Sequence, residues 1–123
     1  MRSLLSMIVL SLCLHACGGN TAVVLVFEWG SCDFDRDGWA HADRVKRGCM
    51  MASLLDKYPP AGMSVAEIKL LLGEPSVYAD FEDPAYLVAQ SASNGSAGKE
   101  QLLVFRVDRR SGRVIEAVLR TPG

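Results

Sequence analysis

Three observations predict a two-layer α+β domain in which two N-terminal helices pack on a three-stranded antiparallel sheet, in the order ααβββ. Residues 62–75 form a short helix with both ends encoded, from Ser64 and Glu67 at its start to Gly73 and Pro75 at its finish. Upstream, residues 38–57 repeat apolar side chains at helical spacing. After Pro75 the period moves towards two, and two apolar runs flank a turn centred on Gly112. A chain of 123 residues has room for one such domain.

The N-terminus precedes that domain. Met1 and Arg2 make a short positive region, and residues 4–14 an apolar stretch. This stretch is shorter than the about 20 residues that span a bilayer, and it reads as an export signal. Leu14, His15, Ala16 and Cys17 resemble the lipobox of bacterial lipoproteins, with His15 where a small or aliphatic residue is usual. The resemblance implies that residues 1–16 are removed and that Cys17 is acylated, so that the membrane holds the protein through an N-terminal lipid. Gly18 in place of aspartate implies the outer membrane, facing the periplasm. Cleavage by signal peptidase I is the competing reading, and Leu14 suits it poorly. Thirteen basic side chains, Arg2 among them, stand against fourteen acidic ones, a balance that excludes a general nucleic-acid binder.

Residues 17–33 are expected to be a lipid-attached tether and an extended segment. Within them, residues 22–27 are continuously apolar and rich in β-branched side chains. Alone they read as a strand; an extended segment over the core and a continuation of the export signal are the alternatives. Cys13 leaves with the signal and Cys17 takes the lipid, so Cys32 and Cys49 remain in an oxidising compartment where a pair can bridge. The loop between them is worth about 3 kcal/mol in a chain-entropy account. The alternative is two separate thiols, with Cys49 buried on a helix. A zinc site would need two further ligands.

The domain proper is expected over residues 34–123. In the first helix, residues 38–57, Ala42, Val45, Cys49, Ala52 and Leu55 form the apolar stripe, and the charged residues fall largely elsewhere. Gly48 in its middle weakens the helix by about 1 kcal/mol relative to alanine, which suggests that another backbone comes close there. The second helix is capped by Ser64 and Glu67, with Met63 and Ile68 closing over the cap. Strands are expected at 85–90, 102–107 and 114–120, with a flexible polar loop at 91–99 and a turn at 108–113.

Gly62, Met63 and Ser64, running to Leu72, Gly73, Glu74 and Pro75, resemble the signature of the BamE (SmpA/OmlA) lipoprotein domain group, within the wider fold of β-lactamase inhibitory protein. The acidic loop Asp80, Phe81, Glu82, Asp83, followed by Tyr86 and a hairpin with Gly112, extends the likeness. Phe34, Trp39, Arg47 and Met51 resemble bacterial lipoproteins of similar size more than BamE itself. The likeness implies a non-enzymatic accessory protein of outer-membrane β-barrel assembly.

Four constellations are candidates for function. Asp33, Asp35 and Asp37 with Gly38 reproduce the start of a calcium loop, but Arg44 stands where the bidentate glutamate is required; an acidic turn capping the first helix is the alternative. His41 has no positioned nucleophile to serve, so no catalytic residue is assigned. Asp80, Phe81, Glu82 and Asp83 form an acidic loop, and Arg106, Arg109, Arg110 and Arg113 gather at the last hairpin; both are candidate partner-binding surfaces. Trp39, Tyr86 and Phe105 are expected in the core. The expected function is that of a lipid-anchored envelope protein, not an enzyme, that binds another protein and needs no cofactor, nucleic acid or small-molecule substrate. An inhibitor of an envelope enzyme and a calcium-stabilised binding module are the alternatives.

Overall fold

The computed structural model describes residues 29–92 and 97–122, so the readings of the export signal, of Cys17 and of residues 22–27 lie outside the described residues. The fold is α+β: three helices, α1 (Arg36–His41), α2 (Arg44–Lys57) and α3 (Val65–Leu72), precede a four-stranded antiparallel sheet. Its strands are β1 (Val77–Ala79), β2 (Asp83–Ser91), β3 (Ala97–Val107) and β4 (Val114–Arg120), side by side in chain order.

The expected single helix over 38–57 is two helices. Ala42 is extended, with φ −82° and ψ 146°, and Asp43 caps α2 by accepting the N–H of Lys46 at 2.8 Å. Asp35 caps α1 in the same way, through the N–H of Gly38 at 2.6 Å. An aspartate offers the backbone a competing acceptor, so the apolar stripe continues across the break while the helix does not. Trp39 from α1 and Met50, Met51 and Leu54 from α2 still enter one core.

The termini of α3 match the expectation. Ser64 Oγ accepts the N–H of Glu67 at 3.1 Å, and Glu67 Oε1 accepts the N–H of Ser64 at 2.8 Å. The Ser64 backbone N–H, and after it the Ser64 side chain, hold the Glu67 carboxyl below its ordinary pKa by favouring the ionised form. Gly73 ends the helix at φ 82°, ψ −168°, a region open essentially to glycine alone. Its carbonyl accepts the Tyr86 hydroxyl at 2.7 Å, which ties the end of α3 to β2. Ser64→Ala is expected to cost about 1 kcal/mol in urea unfolding, and Ser64→Asp to avoid most of that loss.

The sheet corrects the three-strand expectation. β1 has three residues and exposes Val77 and Tyr78, too short a run to show a period. The polar loop expected at 91–99 is partly strand: β2 runs to Ser91 and β3 starts at Ala97, which pair. Backbone pairing continues there beyond the apolar core, and exposed Lys99 needs no periodic partner. The expected last hairpin is present. Asp108 and Arg113 close its turn at 2.8 Å, and Gly112 takes φ 72°.

Alternation along the paired strands sorts the side chains between two faces. Tyr86, Val88, Leu103, Phe105 and Ala117 meet Phe34, Trp39, Met50, Met51, Leu54, Ile68 and Leu72 in the helix-side core. The rings are set edge-on, with Tyr86 6.1 Å from Trp39 and 6.0 Å from Phe105. Ala85, Leu87, Ala89, Leu102, Val104 and Val118 point to the opposite face. Helix α2 lies against β2, and at Gly48 the two backbones come close: a Cβ there would stand 2.4 Å from the Ala89 carbonyl oxygen. A disulfide joins Cys32 to Cys49, with Cα atoms 5.1 Å apart, and the Cys32 N–H donates to the Cys49 carbonyl at 2.9 Å.

Candidate partner-binding tip

The acidic loop and the arginine hairpin, far apart in the chain, meet at one end of the sheet. The β1–β2 connection is Asp80, Phe81 and Glu82, since Ala79 pairs with Asp83. Asp80 and Phe81 have φ of 46° and 78°, and the Glu82 N–H donates to the Asp80 carbonyl at 3.0 Å. A bond across two residues around a positive φ marks a γ-turn of the rarer, strained hand. For an aromatic residue such a backbone costs about 1–3 kcal/mol. Both guanidinium nitrogens of Arg120 hold Asp80 Oδ2, at 2.8 and 3.1 Å.

Phe81 is consequently held out in solvent, 90% exposed. The Arg109 guanidinium lies 5.6 Å from its ring centre and 4.0 Å from the Glu82 carboxylate. Arg109 and Arg110 sit on a turn stiffened by Asp108, which accepts the N–H and hydroxyl of Ser111 at 3.2 and 2.8 Å. Those two bonds hold the Asp108 carboxyl below its usual pKa. Arg110 belongs to no ion pair among the described residues.

The eight residues expected at a binding surface therefore divide. Phe81, Glu82, Arg109 and Arg110 form one exposed cluster, with Asp80 as its anchor. Asp83 does not belong there: it is 8% exposed and accepts the Val107 N–H at 3.1 Å, beside the register shift between Arg106 and Val107. The reason is that pairing with β1 carries β2 back to Asp83, placing its carboxylate where the β3–β4 ladder is irregular. Asp83→Ala is expected to lose about 1.5 kcal/mol in urea unfolding, because it strands a half-buried N–H. Arg106 pairs with Glu116 directly across β3 and β4. Arg113 donates to the Gly62 carbonyl at 3.0 Å and lies 3.8 Å from Glu67, fastening the hairpin to the start of α3.

The three aspartates of the calcium-like run have separate tasks. Asp33 sits 3.0 Å from Lys57, whose hydrogen bond and charge lower the Asp33 pKa, and Asp35 caps α1. Asp37 lies 3.8 Å from His41. Among the described residues no three histidine, cysteine or acidic side chains gather as a metal would need. A cleft of about 680 Å³ borders the disulfide, lined by Trp29, Arg44 and Lys46 among others. His41 does not line it. Sequence reasoning missed Arg120 as the holder of Asp80, and no local signal marks a pair 40 residues apart.

No family model matches the chain, and neither the curated proteins nor the solved structures contain a match to it.

Proposed function

We propose that this protein is a lipid-anchored protein of the bacterial outer membrane, not an enzyme, whose domain binds another envelope protein through the tip around Phe81. The observation that carries the reading is a large aromatic side chain, 90% exposed, on a strained turn that neighbouring ion pairs hold in place. Strain of this kind persists where surrounding structure enforces it, and it clusters at functional positions. Phenylalanine flanked by arginine also has the composition of an interface anchor: apolar area at the centre, charge at the rim. The lipobox-like Cys17 would keep the domain at the periplasmic face, and the BamE-like segment around α3 makes outer-membrane protein assembly the leading setting. A protruding ring equally suits an inhibitor entering the cleft of an envelope enzyme, and the captured partner's identity separates the two.

A photo-crosslinking residue at position 81, in the full chain expressed in cells, is expected to capture a discrete protein. The same residue at position 70, where Leu70 is also exposed, is expected not to. Phe81→Gly is expected to weaken partner binding by about 30-fold or more. It is expected to leave stability unchanged, or to raise it by up to about 1 kcal/mol, since glycine accepts the backbone angle without strain. Adducts only with lipid, or none above the level at position 70, overturn the reading. Intact mass of the membrane-extracted protein tests acylation of Cys17 separately.

A further inference from the structure

The charges at the tip are not equivalent once their neighbours are considered. Asp80 is held by both guanidinium nitrogens of Arg120. The Asp108 carboxylate is turned back onto its own loop, where it accepts the Ser111 N–H and hydroxyl. Glu82 lies 4.0 Å from Arg109, whose guanidinium also covers the Phe81 ring, 5.6 Å from its centre. Arg110 comes next in the same turn. It is exposed, and it belongs to no ion pair among the described residues. Among the described residues of the tip, a cation without a counter-charge thus stands in the turn that flanks an aromatic side chain 90% exposed.

These features restrict what the tip can meet. Anionic membrane surfaces attract clusters of unpaired basic residues, whereas here Asp80, Glu82 and Asp108 balance Arg109, Arg110 and Arg120. A phosphate group is drawn to the free N–H groups of a turn, and the Ser111 N–H is already given to Asp108. A folded protein surface suits both remaining features, since a pocket can take the ring and a carboxylate can face Arg110. The Phe81 backbone is set in advance by the Glu82 N–H to Asp80 carbonyl bond and by the grip of Arg120 on Asp80, so docking orders little that is not ordered already.

We propose that the partner of this tip presents an apolar slot with an aspartate or glutamate on its rim: the slot receives the Phe81 ring, and the acid pairs with Arg110. This inference rests on the tip being the protein-binding site and adds the chemistry of what it binds. Arg109 covers one face of the ring and enters with it, so the slot encloses the other face and the edge in apolar side chains.

The test compares the yield of the protein adduct formed from position 81, in the full chain in cells, among further substitutions. Arg110→Glu is expected to lower that yield about 10-fold or more, because a like charge then faces the rim acid. Arg110→Lys, which keeps the charge, is expected to retain most of it. Arg36→Glu makes the same change in net charge at an exposed arginine of α1 that belongs to no ion pair among the described residues, and is expected to leave the yield unchanged. An undiminished yield with Arg110→Glu overturns this inference and leaves the binding tip standing. An equal drop with Arg36→Glu does the same, since it reports net charge and not a local acid. No adduct, or adducts only with lipid, while Arg110 is intact overturns the tip itself and this inference with it. Salt gives a second readout that needs no change at position 110: in membrane extracts the adduct yield is expected to fall several-fold between about 0.05 and about 0.5 M sodium chloride, because an exposed ion pair is screened. A yield indifferent to salt overturns the pairing, whether or not Arg110→Glu folds.

Discussion

Gly48→Ala is expected to lower the stability of this protein by about 2 kcal/mol and to move thermal unfolding down by about 10 °C. On helix propensity alone the same substitution would gain about 1 kcal/mol, because glycine in a helix interior wastes backbone entropy. The structure reverses the sign. An alanine Cβ would stand 2.4 Å from the Ala89 carbonyl oxygen and 3.0 Å from the Trp29 ring. The first neighbour is backbone in the central strand β2 and has no rotamer with which to yield. Helix α2 must therefore move off the sheet, loosening Met50, Met51 and Leu54 against Tyr86 and Val88. Overpacking of this kind costs about 3 kcal/mol at its upper range, which outweighs the propensity gain. Urea unfolding of the two proteins checks the difference. Equal or greater stability in the alanine variant would mean that α2 does not approach β2 so closely.

Removing the Cys32–Cys49 disulfide is expected to cost about 3 kcal/mol. The two cysteines are 17 residues apart, and the loop between them carries Phe34 and Trp39, both buried. In the unfolded chain the bridge limits where those aromatic residues can wander; in the folded chain it holds the segment before α1 against α2. The Cys32 N–H to Cys49 carbonyl bond at 2.9 Å already aligns the two backbones, so closing the bridge requires little rearrangement. A phosphine reductant, with reduction verified by mass, is expected to lower the wild-type melting temperature by more than 10 °C. It should leave the Cys32→Ala/Cys49→Ala double variant unmoved, already at the reduced wild-type value. A reductant effect of equal size on both proteins would assign the loss to something other than this bridge.

What was legible in the sequence follows from how far apart the cooperating groups lie. The capping box of α3, its glycine stop and the Gly112 hairpin each satisfy backbone groups within a few residues, and each was readable. The break at Ala42 and Asp43 was as local, but an uninterrupted apolar stripe outweighed the aspartate cap. β1 carried no signal, because three exposed residues joined to a sheet by backbone pairing alone need no pattern in their side chains. At the candidate site the two halves were visible as an acidic loop and a basic hairpin. Their meeting was not, since no rule of spacing connects Glu82 with Arg109 or Asp80 with Arg120.

By itself the sequence determined the class of the domain, the order of its main elements and the residues that start and stop them. The tertiary structure alone decided which charges stay free. It withdrew Asp83 into the sheet, spent Arg106 and Arg113 on structural contacts, and left Phe81, Arg109 and Arg110 in solvent. The physical reason is that a cap or a turn is a contract between neighbours in the chain. Exposure and ion pairing are contracts between neighbours in space, written only when the strands take their register.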